Sequence, residues 1–314
     1  MVLSDRCGRP LLNLRIAITK QCNLRCDYCH KEGEETTSCS RGTAEEMTVG
    51  EIGRIAEIAI SLGITRIKLT GGEPLMRKDL CEIVERIASI PHLKDLSLTT
   101  NGTMLSFQAK ELCECGLKRV NISLPTLNAE IYNKLTEGRI QNVLEGVESA
   151  VAAGLCPVKL NMVVLNNINV DAISDMMDYA RKTGTILQLI ELDPINVDDL
   201  YFSVYHKALE ENERMLQQKA VRVETRRYMH NRHVYRLPDL TVEVVHPTEN
   251  SSFCQHCTRL RVTSDGKLKP CLMRNDNLVD LLTPMRLGAT DEQLKELFIQ
   301  VNNRREPYNK TANE

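Results

Sequence analysis

The stretch Leu14-Arg-Ile-Ala-Ile-Thr19-Lys-Gln-Cys22-Asn-Leu-Arg-Cys26-Asp-Tyr28-Cys29 decides how the rest of the chain is interpreted. Its first half is an apolar run typical of a buried strand, and its second half places three cysteines in one short loop. Three thiolates in such a loop can converge on one metal centre. Because a cubane iron–sulfur cluster normally takes four thiolates, a cluster held by three keeps one iron open for a ligand.

Zinc is the other metal that this loop could hold. A structural zinc ion takes four ligands, and the fourth would have to come from His30, directly after Cys29. Simultaneous ligation by two neighbouring residues is sterically awkward. The pattern therefore favours an iron–sulfur cluster with an open, catalytic position.

Beyond the loop, short apolar runs alternate with segments of helical periodicity, and this rhythm stops near residue 200. The predicted strands are 14–19, 64–70, 94–99, 118–123, 158–164 and 186–191. Strands that alternate with helices form right-handed parallel units. Since these strands are too few for a closed eight-stranded barrel, we expect an α/β fold with a partial (β/α)6 barrel. We predict that the barrel covers 1–220 and that a C-terminal region, 221–314, closes it.

Length, charge and cysteine content further narrow the class of protein to which the chain can belong. The chain has 314 residues, with 40 Lys and Arg against 42 Asp and Glu, so its formal net charge is −2. We therefore expect no nucleic-acid partner. The sequence shows no signal peptide and no apolar run of membrane length, which predicts a cytoplasmic protein without a membrane partner. Twelve cysteines in that compartment indicate metal ligation or thiol chemistry more than disulfides.

A second cysteine group lies at Cys254, Cys257 and Cys271. A zinc ion could be held there if His246 or His256 supplied a fourth ligand. The alternative is a second three-thiolate iron–sulfur cluster with an open iron. Arg259 and Arg261 lie two residues apart, so on an extended segment they point the same way. Two guanidinium groups beside an open metal suit an anionic substrate, because each binds a phosphate group bidentately.

The turn Thr70-Gly-Gly-Glu-Pro74 follows the second predicted strand. It is not a P-loop, since no Gly-Lys-Ser/Thr follows, and it lacks the G-x-G-x-x-G spacing of a dinucleotide fold. Thr99 and Ser123 end later strands, where polar side chains either contact a ligand or cap backbone groups.

The cysteine loop with Tyr28 before its last cysteine, together with the Gly-Gly-Glu-Pro turn, resembles the radical S-adenosylmethionine (SAM) superfamily. The resemblance implies a [4Fe–4S] cluster on Cys22, Cys26 and Cys29 whose open iron chelates SAM. One electron from it would cleave SAM to a 5′-deoxyadenosyl radical. The residues that the resemblance assigns to SAM are Tyr28, Gly71, Gly72, Glu73 and Ser123.

Both cysteine groups together resemble one family within it, the GTP 3′,8-cyclases of molybdenum cofactor biosynthesis. Shared stretches include Leu98-Thr-Thr-Asn-Gly102 and Cys257-Thr-Arg-Leu-Arg261. The resemblance implies a second [4Fe–4S] cluster that meets guanine, and abstraction of the 3′ hydrogen of GTP to give 3′,8-cyclo-7,8-dihydro-GTP. The implied GTP contacts are Arg15, Lys68, Thr99, Lys159, Arg259, Leu260 and Arg261. The implied partners are a ferredoxin- or flavodoxin-type electron donor, a downstream cyclic pyranopterin monophosphate synthase and a second copy of the chain.

The sequence departs from the bacterial pattern of that family at several positions. Gln188 occupies a position where bacterial members usually have an arginine, and Asp193 one where they often have a methionine near SAM. Pro125 occupies a position where they usually have an aspartate. The printed chain ends Lys310-Thr-Ala-Asn-Glu314 without the family's Gly-Gly tail, which predicts an archaeal-type member. The basic segment Arg222–Arg236, with Arg226, Arg227 and Arg232, is our candidate to replace that tail.

Two other functions remain open at this point: a radical SAM enzyme that modifies peptides, and a zinc-stabilised binding module. Few aromatic residues and a charge near zero give the second little support. Six cysteines stay outside both groups. We expect Cys81, Cys113, Cys115 and Cys156 to pack as small apolar groups, whereas Cys7 and Cys39 carry no assignment.

Overall fold

The computed structural model describes residues 2–34, 46–248 and 250–308. A parallel core of six strands forms first along the chain. These strands are β1 (Asn13–Ala17), β2 (Arg66–Thr70), β3 (Asp95–Thr100), β4 (Arg119–Ser123), β5 (Val158–Val164) and β6 (Ile186–Glu191). Each lies within two residues of its predicted bounds, and neighbours pair in parallel in chain order. The predicted α/β class with a partial barrel is confirmed.

Helices follow or connect these strands in the described part of the chain. They are α1 (Val49–Ser61), α2 (Leu80–Ala88), α3 (Leu105–Glu114), α4 (Ala129–Thr136), α5 (Ile140–Ala152), α6 (Ile173–Thr183), α7 (Asp199–Tyr205), α8 (Glu210–Lys219), α9 (Ser251–Gln255), α10 (Leu282–Arg286) and α11 (Asp291–Asn303). α1 begins with a capping box between Thr48 and Glu51, as the sequence predicts. Its apolar stripe, with Ile52 and Ile55 fully buried, packs on the core.

The C-terminal region adds strands at both edges of the core. They are β7 (Arg222–Arg226), β8 (Arg232–Arg236), β9 (Thr241–Val245), β10 (Arg259–Val262), β11 (Lys267–Lys269) and β12 (Val279–Asp280). The order is β12-β11-β10-β1-β2-β3-β4-β5-β6-β9-β8-β7, with β10 parallel to β1 and β9 parallel to β6. One sheet thus crosses the predicted boundary at 220, and the division into two regions stays a prediction. Within the described residues, no helix has the length and apolarity needed to cross a bilayer.

Two expectations about cysteines are wrong. Cys81 does not pack as a separate apolar group but forms a disulfide with Cys115, because α2 and the end of α3 lie side by side with Cα atoms 6.0 Å apart. Cys115 itself packs against the apolar core as expected. Cys156 is exposed, since it lies in the surface turn that precedes β5. Cys113 is half-buried and packs against the core as expected, and Cys39 lies outside the described residues.

Candidate functional site

A cavity of about 330 Å³ lies inside the partial barrel. Its wall includes all six cysteines of the two predicted groups: Cys22, Cys26, Cys29, Cys254, Cys257 and Cys271. The sequence-predicted groups are therefore brought together in one chamber. The charged and polar side chains between them come mainly from inward-facing positions of the parallel strands.

The two cysteine groups lie at opposite ends of one strand pair. The first loop follows the carboxyl end of β1, whereas Cys257 precedes the amino end of β10, which runs parallel to β1 with Asn13 opposite Arg259. β11 returns antiparallel to β10, so Cys271 comes back to that same amino end. A ligand between the two groups therefore lies along the length of these strands.

The first cysteine group has thiols that are poor anions by themselves. Burial, with Cys29 and Cys22 as close neighbours, raises the pKa of Cys26 to about 12. Burial also raises the pKa of Cys22 and of Cys29. Iron ligation needs thiolates. The positive charge of the iron atoms in a bound cluster would offset the cost of burying these three negative charges. The three donors fit a [4Fe–4S] cluster.

The second cysteine group carries its own cations, which sequence reasoning missed. Arg305 Nη2 donates to the Cys257 carbonyl at 2.6 Å, and Arg9 Nη1 donates to the Cys254 carbonyl at 2.8 Å. Burial opposes ionisation of Cys257, but Arg305, the backbone N–H of Arg259, and the Arg259 and Arg9 charges outweigh it and lower the pKa of the thiol. Asp5 pairs with Arg9 at 2.7 Å and with Arg305 at 3.5 Å. These contacts favour the thiolate of Cys257, whereas burial raises the pKa of Cys271.

The two histidines considered as zinc ligands are occupied elsewhere. His246 lies between Glu191 and Glu213, with ring nitrogens 2.7 and 2.9 Å from their oxygens. His256 Nδ1 lies 2.9 Å from the Ser252 carbonyl oxygen. Both ring nitrogens of His246 and one of His256 are thus engaged by other groups, which favours the three-thiolate iron–sulfur arrangement over a closed zinc site.

The glycine turn after β2 packs directly under the first cysteine loop. Gly72 N donates to the Thr19 carbonyl at 2.8 Å. A Cβ atom on Gly71 would lie 2.4 Å from Thr19 O, and one on Gly72 would lie 2.1 Å from Gln21 O. Gly71 also has a φ of +142°, which side chains rarely adopt. The two glycines are required for this close approach, and both line the cavity.

The other residues assigned to SAM divide into two kinds. Tyr28 and Ser123 line the cavity. Glu73 is fully buried instead: its carboxylate accepts from Thr100 Oγ1 at 2.6 Å, Asn101 N at 2.6 Å and Leu75 N at 3.0 Å. Glu73 therefore braces the glycine turn against the end of β3. Its assignment to SAM stays a prediction.

The residues assigned to GTP also divide into those that line the cavity and those that are buried behind its wall. Five of the seven line the cavity: Arg15, Lys68, Thr99, Arg259 and Arg261. Lys159 is buried and contacts Glu243. Thr99 Oγ1 is buried and has no partner among the described residues. Leu260 is fully buried in the apolar core, because it alternates with Arg259 and Arg261 along β10.

Two buried carboxylates, which the sequence did not reveal, balance part of this charge. Glu32 lies 3.7 Å from Arg15 and 3.6 Å from Arg261, and its pKa falls to about 2 because these cations and His30 outweigh its burial. Glu243 contacts Lys159, and its pKa is likewise lowered to about 2, since Lys159 and two arginines outweigh its burial. Burial and surrounding cations lower the pKa of Lys68 well below its usual value.

Comparison with known proteins identifies the class. Residues 16–180 match the family described as the radical SAM superfamily, and residues 185–311 match the one described as Molybdenum Cofactor Synthesis C. The chain therefore belongs to the radical SAM superfamily, whose enzymes use SAM and a [4Fe–4S] cluster. The two cysteine groups fit two such clusters.

Relatives narrow this assignment. The chain is 46% identical to the probable GTP 3′,8-cyclase of Methanocaldococcus jannaschii over 307 residues, which is 98% of this chain and 99% of that protein. It is 48% identical to the probable GTP 3′,8-cyclase of Thermococcus kodakarensis over 315 residues, with the same shares covered. The resemblance found in the sequence is confirmed at the level of the family.

Solved structures share the fold. The Streptococcus suis SuiB structure with its precursor peptide SuiA superposes with a TM-score of 0.64 at 15% identity, covering 98% of this chain and 66% of that one. Native anSMEcpe with bound AdoMet superposes with a TM-score of 0.58 at 18% identity, covering 93% and 82%. At these identities the likeness concerns architecture alone.

Proposed function

We propose that this chain is a GTP 3′,8-cyclase, which converts GTP to 3′,8-cyclo-7,8-dihydro-GTP in the first step of molybdenum cofactor biosynthesis. One observation carries the proposal: a single cavity joins two three-cysteine groups and is lined by buried cations in excess of its carboxylates. A nucleoside triphosphate brings the negative charge that such a wall needs. The near full-length likeness to probable cyclases supports the same conclusion.

Cys22, Cys26 and Cys29 would hold the cluster that binds SAM, and Cys254, Cys257 and Cys271 would hold the second one. When bound, the first cluster supplies the electron that cleaves SAM and so provides a radical that takes the 3′ hydrogen of the substrate. Tyr28, Gly71, Gly72 and Ser123 are proposed to orient SAM at the carboxyl end of β1.

The chain's own contribution is position and charge. Arg15, Lys68, Lys159, Arg259 and Arg261 are proposed to hold the nucleotide between the two cysteine groups. Their placement on adjacent strands of one sheet keeps them at fixed separations, which favours a near-attack arrangement of ribose and base.

The electron donor and the enzyme that uses the product follow from the same proposal. A low-potential donor of ferredoxin or flavodoxin type would supply electrons, and cyclic pyranopterin monophosphate synthase would take the product. We also propose a cytoplasmic location and a homodimer, both of which gel filtration and fractionation of the native host test directly.

The decisive experiment is anaerobic incubation of the reconstituted chain with SAM, GTP and dithionite. We expect 5′-deoxyadenosine and the cyclised nucleotide in equal amounts, and about eight iron atoms per chain. A Cys254→Ala/Cys257→Ala/Cys271→Ala variant should keep about four iron atoms and lose the cyclised product. Formation of 5′-deoxyadenosine without cyclised GTP in the unaltered chain would contradict the proposal and favour a different substrate, such as a peptide.

A further inference from the structure

The β7–β8 hairpin places two arginines side by side on the cavity wall. Arg226 and Arg232 are partners in the antiparallel register, and both line the cavity. Arg227 does not join them: it is exposed, with its guanidinium 5.9 Å from the centre of the Tyr228 ring. The hairpin thus directs two of its arginines inward.

The buried Arg232 guanidinium has one N–H donor without an acceptor among the described residues. Its side chain is 6% exposed, and Nη1 donates to Gln188 Oε1 at 2.6 Å and to Glu243 Oε2 at 3.2 Å. Its Nε is buried and has no hydrogen-bond acceptor in the described part of the chain. Buried donors in folded proteins are nearly always paired. An acceptor on a ligand in the cavity would complete this guanidinium.

Gln188 fixes the direction of Arg232. Its Nε2 donates to Asn161 Oδ1 at 3.0 Å, which turns Oε1 toward the arginine. Asn161 also accepts from Asn121 at 3.3 Å, and Asn121 accepts from Lys68 at 2.9 Å. One chain of hydrogen bonds therefore joins residues of five strands and links the Lys68 ammonium to the Arg232 guanidinium. Such a network holds both cations in place.

The charges in this part of the wall do not balance. Lys159, Arg226 and Arg232 all contact one carboxylate, that of Glu243, so three cations face one anion. At the far end of the same hairpin, the exposed Arg236 pairs with Glu224. Uncompensated positive charge in a buried wall is costly unless a bound anion neutralises it.

We propose that Arg226 and Arg232 bind the phosphate chain of the substrate, with Gln188 as the residue that positions Arg232. This inference rests on the proposed function and adds the hairpin to the substrate site. Planar guanidinium groups suit phosphate oxygens, because each offers two parallel N–H donors. The pair lies beside Lys159, which contacts the same Glu243 carboxylate and adds its charge behind the cavity wall.

Equilibrium binding tests the proposal on the chain with both clusters loaded. The variants are Arg232→Gln, Arg232→Lys and Arg226→Gln, with Arg236→Gln as the matched control on the same hairpin. The probes are GTP, guanosine and inorganic triphosphate. We expect the two inward Arg→Gln changes to weaken GTP and triphosphate binding about 10- to 100-fold and guanosine binding by less than about twofold. Arg232→Lys should recover part of the loss, and the control should match the unaltered chain.

The outcomes separate the two proposals. Equal losses for GTP and guanosine, or no loss for GTP in either inward variant, would overturn the assignment of the arginines to phosphate. If the unaltered chain binds triphosphate through Arg232 but does not bind GTP, the anion site stands and the cyclase proposal falls. If it binds neither, both fall. Arg226 is only half-buried, so its variant keeps the test valid even where Arg232→Gln unfolds.

Discussion

Arg15 and Arg261 face each other on adjacent parallel strands, and both reach the carboxylate of Glu32. Two like charges in direct register repel one another. The carboxylate between them offsets this repulsion and so stabilises the folded protein when no substrate is bound. Thr70 Oγ1 donates to the same carboxylate at 2.6 Å and fixes its orientation.

Glu32→Gln should destabilise the substrate-free protein and increase its response to GTP. Losing one partner of a buried ion pair costs about 3 to 5 kcal/mol, and the freed arginines then gain more from an anion. Thermal unfolding with and without GTP measures both effects. Glu57→Gln, which breaks only the exposed contact to Arg86, is the control. An unchanged melting temperature in Glu32→Gln would contradict the role given to this carboxylate.

Gly72→Ala should prevent loading of the first cluster. The added Cβ would meet the Gln21 carbonyl oxygen at 2.1 Å and displace the backbone just before Cys22. We expect iron content to fall from about eight to about four atoms per chain. Gly50→Ala is the matched control, because its Cβ meets nothing closer than Thr48 Oγ1 at 4.0 Å. Full iron content in Gly72→Ala would mean that the loop tolerates the shift.

Arg305→Gln should weaken the second cluster rather than the first. The change removes the cation that does most to lower the pKa of Cys257, together with its hydrogen bond to the Cys257 carbonyl. Iron should be lost faster to a chelator, down to about four atoms per chain. The neighbouring Arg304→Gln, at an exposed site, should behave like the unaltered chain. Equal chelation rates in the two variants would remove Arg305 from this role.

The ion pairs of His246 predict a pH-dependent stability. Burial opposes its protonation, but hydrogen bonds to Glu191 and Glu213 outweigh it and raise the pKa of His246 to about 10. The stabilisation is full below the unfolded value of about 6.5 and disappears as the pH rises through the folded value. His246→Gln should therefore lower stability by on the order of 2 kcal/mol at pH 6 and by little at pH 10. A constant difference between these pH values would show that His246 stabilises by packing alone.

The sequence predicts the six core strands because each is a short run rich in apolar residues, and five of the six predicted runs end in a polar residue. It also predicts both cysteine groups and most of the cavity cations, whose spacing is local. Glu32 and Glu243 escape prediction, because a carboxylate in a polar loop, or in a strand that the sequence pattern did not predict, looks like a solvated residue until its partners are known. Asn121 and Asn161 could have been found, since amides inside otherwise apolar parallel strands are unusual.

The C-terminal strands were harder to predict. The segment 222–236 is rich in arginine and has no clear alternation of apolar residues, so only the tertiary contacts of β8 with β9 reveal it as a hairpin. The disulfide between Cys81 and Cys115 was missed for a related reason: their sequence separation of 34 hides a proximity that the packing of α2 and α3 creates.

The shared strand pair of β1 and β10 sets how far apart the two cysteine groups lie. β1 has five residues, so its ends are separated by about 13 Å at 3.3 Å per residue. Cofactor and substrate must together span that distance, and a longer strand would leave their reacting atoms out of reach. Inserting one residue into β1 would also turn Arg15 toward the apolar core. Selection on this chemistry therefore acts on the length of a strand as strictly as on any ligand.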